Sequence, residues 1–269
     1  MFLRRAYAFI KRDFLIDTSY RLFFFFNLSG IVLTVLTFFF ISRTFGYKVS
    51  PYLEAYGGEY FPFVLIGIAF SGYLSSGLSS FANAIRNEQI TGTLEAILLT
   101  PTRLSIMLVS QALWKFLLAT ADIFLYLIIG ILIFKVNLKL NELSAALIIL
   151  ILTLTSSGSL GIISAAVIMI FKKGDPVTWV FLTASSLLGG VYYPVAVLPD
   201  FLQDIAMFLP ITHTLNGLRG ALLAGSSFSD LVPHIGALAL FTAVFLPVGV
   251  MTFSYAVRKA KKEGSLVHY

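Results

Sequence analysis

Arg86-Asn-Glu-Gln-Ile-Thr-Gly-Thr-Leu-Glu-Ala-Ile-Leu-Leu-Thr-Pro101 is a polar island between two long apolar stretches. The helix entering it through Phe81-Ala-Asn-Ala-Ile-Arg86 is predicted to break at Thr91-Gly92-Thr93, where a glycine and two β-branched residues disfavour helix. A short helix then fits residues 94–99, with Glu95 at its start, where the helix dipole favours a carboxylate. Thr100-Pro101 reads as an N-cap followed by proline at the first helical position, restarting the chain. Residues 88–101 thus form a compact helical knuckle that returns the chain to the side of the bundle it came from. An ordinary helix–loop–helix connection is the plain reading. An ordered, charged insert between two apolar spans has a use when something docks on it.

The surroundings of the island are those of a membrane. Hydrophobic residues fill 58% of 269 positions and charged ones 12%, against about 25% charged in soluble domains. Mean hydropathy is +0.91. Six apolar stretches emerge, at 22–41, 60–83, 116–134, 143–171, 177–193 and 231–257. Most meet the ~20 residues that a helix needs to cross ~30 Å of hydrocarbon. Strand-like alternation is absent, so helices must satisfy the backbone in lipid. The expected fold is all-α and polytopic, with six transmembrane helices in a single domain over residues 1–269.

Basic residues orient it. With six spans, thirteen of the nineteen Lys and Arg fall on the side of both termini and of loops 84–103 and 172–176. Five fall opposite (Arg43, Lys48, Lys135, Lys139 and Arg219), and Lys115 lies within a span. The excess puts the termini, including the tail 258–269, in the cytoplasm. The net charge of +6 is a topology signal and an attraction to anionic lipid, not evidence for nucleic acid. Residues 1–17 place Phe2, Leu3, Ala6, Tyr7, Phe9, Ile10 and Phe14 on one arc and Arg4, Arg5, Lys11 and Arg12 opposite. That pattern predicts a helix lying in the membrane interface. A signal peptide fits less well, because the next apolar run is too long and lacks a small-x-small cleavage site.

Two further segments carry punctuation. In Phe171-Lys-Lys-Gly-Asp-Pro-Val177, Asp175-Pro176 repeats the N-cap-then-proline grammar; Lys172 and Lys173 are explained equally by anchoring or by a partner. Gly189-Gly-Val-Tyr-Tyr-Pro-Val-Ala-Val-Leu-Pro199 and Leu209-Pro-Ile-Thr-His-Thr-Leu-Asn-Gly-Leu-Arg219 are apolar but too broken to cross. Non-helical backbone at membrane depth must be buried in protein or line water. A re-entrant hairpin over 194–225 on the outer side meets that requirement, and a folded external loop is its alternative.

Gly92-Thr-Leu-Glu95 with Leu98-Leu-Thr-Pro101 resembles the cytoplasmic coupling segment of ABC-2-type transporter permeases. Tyr193-Pro-x4-Pro199, Leu209-Pro-Ile-Thr and Leu218-Arg219 resemble the outer hairpin of the same family. The resemblance runs from the N-terminal helix to the last span. It implies a permease subunit coupled to two separate ABC ATPase (nucleotide-binding) subunits through Glu88, Thr91, Gly92, Thr93, Leu94, Glu95, Leu98 and Asp175. It implies a second permease copy, in a homodimer or a heterodimer. It places Tyr193, Pro194, Pro199, Pro210 and Arg219 at the outer gate. ATP and Mg would be held by the partner ATPase, with no cofactor in this chain.

The chain contains no Gly-x4-Gly-Lys-Ser/Thr phosphate loop, no Gly-x-Ser-x-Gly elbow and no His-Glu-x-x-His. It has no cysteine, which excludes thiolate catalysis and disulfides, and its three histidines lack metal-ligand spacing. Catalytic and metal residues are therefore expected to be none. Asp122 is the intramembrane charge that demands a role, either in a pathway or subunit seam or in a local hydrogen-bonded network. Lys115 sits seven residues away and is expected to snorkel. The tyrosines at 47, 52, 56, 60, 192 and 193 read as an interfacial belt. The favoured function is the permease of an exporter for an amphipathic drug, lipid or glycolipid. A polysaccharide or teichoic-acid-like polymer exporter is the alternative within the fold. A secondary transporter or an intramembrane enzyme is the alternative of another class. A carrier would show inverted halves broken at mid-membrane, whereas the breaks here cluster at one end.

Overall fold

The computed structural model describes residues 2–19, 21–45, 51–93, 97, 99, 104–171 and 175–262. It is all-helical among them, with no strand. The main elements are α1 Phe2–Ser19, α2 Arg21–Phe45, α3 Tyr60–Ile90, α4 Leu104–Leu132, α5 Leu143–Phe171, α6 Pro176–Leu188, α7 Asp200–Ala206, α8 Pro210–Arg219 and α9 Phe228–Lys262. Five of these (α2, α3, α4, α5 and α9) contain stretches long and apolar enough to cross a membrane. The stretch at 177–193 differs from expectation: its helix, α6, has 13 residues and reaches about 20 Å. Gly189 and Gly190 end it, the latter at φ +76°, a left-handed conformation that suits glycine.

α3 is the axis of the bundle. In its most apolar window 78% of residues are buried, against 11% in α2 and in α9, which lie outside. α5 packs along both α3 and α9, and α4 along α3. The α3–α5 seam is made of small residues. Ser156, Ser157, Ser159, Ser164 and Ala165 are buried on α5, and the hydroxyls of the first three bond back to their own helix, as from Ser157 to the Thr153 carbonyl at 2.6 Å. Gly161 faces the carbonyls of Gly77 and Leu78 so closely that a Cβ there would collide with backbone. Lipid tails give apolar helices no reason to associate, so small residues that bring backbones together supply the contact energy.

Three apolar clusters fill the bundle. One joins α3, α4, α5 and α8 around Ile66, Tyr73, Ile149 and Leu215. A second sits at the far end of α3 around Ile85, Met107 and Met169. The third packs α2 onto α3 and α4 through Val35, Val64 and Leu65. α1 lies against α4, with the Phe14 and Trp114 rings meeting edge-on at 5.6 Å. The predicted apolar arc of α1 is divided: Phe9 packs into the second cluster, whereas Tyr7 and Phe14 stay 65% and 47% exposed. α4 begins at Leu104, twelve residues before the apolar stretch that announced it.

Candidate functional site

The two ends of α3 each carry a polar constellation, about 37 Å apart along the helix. At the Ile90 end, Glu88 is buried and accepts hydrogen bonds from Arg12 Nη1 on α1 (2.9 Å) and Gln111 Nε2 on α4 (2.8 Å), and from the Thr93 hydroxyl. One carboxylate thus ties three helices to the turn that follows it. Arg12 also reaches Asp13 Oδ1 at 2.9 Å. Burial pulls the Arg12 guanidinium down, but Asp13 and Glu88 outweigh it and hold it above its ordinary value. The Asp13 carboxyl is raised by burial, against the pull of Arg12. One turn further along α4, Trp114 Nε1 donates to Asp17 Oδ2 at 2.7 Å and Lys115 Nζ lies 3.3 Å from the same oxygen. Lys115, read from sequence as a snorkelling side chain, forms an ion pair.

Beyond Glu88 the helix stops where expected. Thr91 is the C-cap and Gly92 follows at φ +69°, a conformation that costs glycine little and other residues more. Thr91, Gly92 and Thr93 are exposed, and so are the apolar Ile90 (69%) and Leu99 (83%) flanking them. Leu94, Glu95 and Leu98 of the expected coupling segment, with Thr100 and Pro101, lie outside the described residues, as do Lys172 and Lys173. Asp175 caps α6 as its sequence suggested: the Thr178 N–H donates to its Oδ1 at 3.0 Å, Pro176 takes the first helical turn, and the Ser164 hydroxyl also donates to it. That bond fastens α6 to α5.

At the other end, Arg219 is fully buried at the close of α8. Its Nε donates to the Phe63 carbonyl (3.1 Å), Nη1 to Gly190 (2.7 Å) and Nη2 to Val191 (3.2 Å). Its Cζ stands 3.4 Å from the centroid of the Phe63 ring. The guanidinium thereby supplies donors to the irregular backbone after α6, where helical partners run out. Pro194 and Pro199 flank a 3-10 turn at Val195–Val197, and Pro210 opens α8 at its first turn. The Tyr193 hydroxyl donates to the Leu187 carbonyl. Tyr56 Oη donates to Asn216 Oδ1 at 3.1 Å, closing the connection before α3 over α8. His213 pairs with Met207 O (2.9 Å) and faces the His234 ring at 5.7 Å.

Asp122 belongs to neither end. On α4 its Oδ1 accepts from Asn27 Nδ2 of α2 at 2.8 Å, and both line a cavity of about 300 Å³ with Thr34, Phe38, Tyr126 and Tyr192. The structure thus gathers Glu88, Thr91, Gly92 and Thr93 at one end and Tyr193, Pro194, Pro199, Pro210 and Arg219 at the other, with Asp122 apart and Asp175 at the foot of α6. Sequence reasoning missed the partners Arg12, Asp17, Asn27, Gln111 and Trp114. Asp17, Asn27 and Gln111 carried a signal, a lone amide or carboxylate in or beside an apolar run, which marks a bonded group without saying to what it bonds.

The family profile of the ABC-2 type transporters matches residues 5–223. The chain belongs to the ABC-2 type transporter family. It is 23% identical over 222 residues to the inner membrane transport permease YadH of Escherichia coli K12, covering 80% of this chain and 82% of that protein. It is 26% identical over 193 residues to nodulation protein J of Rhizobium leguminosarum bv. trifolii, covering 66% of this chain and 71% of that one. Over 70 residues it is 31% identical to the linearmycin resistance permease protein LnrN of Bacillus subtilis, covering 26% of this chain and 18% of that protein. Membership makes this ABC-2 chain a multi-pass transport permease of a family that normally works with ATPase subunits, a non-enzymatic role.

Proposed function

We propose that this chain is the permease subunit of an ATP-driven exporter in the inner membrane. It works as a dimer, with a second copy favoured over a related chain, and is driven by two separate ATPase subunits that bind ATP and Mg. Six crossings place both termini in the cytoplasm; the fifth is the short α6 extended by the non-helical chain beyond Leu188. Residues 88–101 form the coupling segment, residues 194–225 the outer re-entrant hairpin and residues 1–17 the interfacial helix. Asp122 lines the pathway or the subunit seam. The cargo is an amphipathic drug, lipid or glycolipid, which the relative named as a resistance permease supports.

The observation that carries this reading is the Ile90 end of α3. Exposed Ile90 and Leu99 flank an exposed turn, while Glu88 braces that turn from inside against α1 and α4. Exposed apolar side chains near a braced helix end suit a partner protein, and a force applied at that end enters the most buried helix directly. Glu95→Arg puts a charge that the helix dipole disfavours at the start of the coupling helix. It is expected to abolish cargo-stimulated ATP hydrolysis in the reconstituted complex while the permease still inserts. Unchanged stimulation and transport would remove the coupling role.

The orientation is tested separately. Asp200 and Asp204 are exposed on α7, and the chain has no native cysteine. Asp200→Cys and Asp204→Cys are each expected to react with an impermeant maleimide added to intact cells. Reaction only in inside-out vesicles would invert the topology.

A further inference from the structure

We propose that the crevice beside Asp122 binds the cationic headgroup of an amphiphile, an amine or a quaternary ammonium. The proposal rests on the exporter reading for its biological sense, but the site is argued from its own chemistry. Asp122 is half-buried at membrane depth, and among the described residues no Lys or Arg forms an ion pair with it. Asn27 donates to Oδ1 at 2.8 Å and fixes the carboxylate, while Oδ2 takes no hydrogen bond from any described residue. One oxygen is therefore oriented and the other is left with acceptor capacity.

The walls suit a cation. Phe38 and Tyr192 stack at 5.6 Å with only 12° between their planes, and both line the cavity together with Tyr126 and Asp122. Aromatic faces attract quaternary ammonium groups through the ring quadrupole, more strongly when water is excluded. A carboxylate at low dielectric adds a long-range attraction for the same charge. An anion meets repulsion there, and a neutral headgroup gains from neither feature. The volume of about 300 Å³ is at the small end of ligand pockets, enough for a headgroup but not for a polymer. A second cavity of about 320 Å³ shares Ser71 and Tyr192 with it and is edged by Ser75, Thr183, Ser185 and Ser186, so a polar body next to the cation also finds partners.

The test uses the purified full-length permease in detergent, without its ATPase. The probes are a dansylated dodecyl trimethylammonium and the uncharged analogue with a tert-butyl headgroup of the same shape. The cation is expected to bind about tenfold more tightly, a difference of about 1.4 kcal/mol. Asp122→Asn keeps an oxygen that accepts the hydrogen bond from Asn27 Nδ2 and is expected to erase that preference without moving the melting temperature. Tyr192→Leu is expected to weaken the cation about fivefold and spare the neutral probe; it serves also if Asp122→Asn does not fold. Equal affinity for the two probes, or a cation preference that survives both substitutions, overturns the proposal. ATP-driven transport is measured apart. Cation binding without such transport supports the site and removes the exporter reading, whereas transport with no cation preference does the reverse.

Discussion

Arg219→Met is expected to remove most of the protein from the folded, detergent-soluble pool. The arginine is 1% exposed, and its three donating nitrogens serve the carbonyls of Phe63, Gly190 and Val191. Methionine fills part of the volume and donates nothing, so the non-helical carbonyls of Gly190 and Val191 are left unsatisfied at about 1–3 kcal/mol each, while Phe63 loses a second donor. Loss of the desolvation cost of a buried cation offsets part of this. The net loss is expected to be about 3–5 kcal/mol, a large share of the ~5–15 kcal/mol that holds a protein folded. Arg219→Lys is expected to recover little, because one ammonium on a flexible stem cannot serve acceptors spread around a planar fork. The check is melting temperature and yield in detergent for the two variants beside the parent. A melting temperature within about 2 °C of the parent's, roughly what 0.5–1 kcal/mol would produce, would show that water or another group satisfies these carbonyls.

The same residue shows where a sequence stops being legible. Counted among outer loops, Arg219 served as one of five charges setting the orientation; in the fold it is a donor to broken backbone and carries no weight as a loop charge. Local grammar was readable because it acts through neighbours: α5 occupies Leu143–Phe171, the stretch its apolar run marked. The Asp175-Pro176 cap and the turn at Gly92 follow from adjacent residues in the same way. Pairings across the chain were not readable. Arg12 meets Glu88 over 76 positions and Asn27 meets Asp122 over 95, and no periodicity encodes which helices become neighbours. The apolar run at 116–134 marked only part of α4, because Gln111 and Lys115 precede it and their partners lie on other helices. Glu88 and Asp17 satisfy them, and the helix continues through. α6 was lengthened for the opposite reason, since Val191, Tyr192 and Tyr193 are apolar but follow a glycine at positive φ.

Glu88→Ala is expected to cost coupling more than it costs folding. Glu88 does not present its carboxylate outward to a partner; it is buried and holds Arg12 of α1, Gln111 of α4 and the hydroxyl of Thr93. Its loss leaves Gln111 without its carboxylate partner, at about 1–3 kcal/mol. Arg12 keeps Asp13 and is 39% exposed, so solvent screening makes its share small. The fold should therefore survive with a melting temperature lowered by several degrees. The turn at 91–93 loses its brace, and a push from a docked ATPase would be absorbed there rather than passed into α3. Cargo-stimulated ATP hydrolysis per folded complex should fall at least about tenfold, while basal hydrolysis stays. Arg12→Ala alone should be milder, because Gln111 and Thr93 still hold the carboxylate. The double variant should match Glu88→Ala, since contacting partners are not additive. Normal stimulation per folded molecule in Glu88→Ala, with only the lowered melting temperature, would make the cluster a structural clamp and assign coupling to the exposed face of the turn alone.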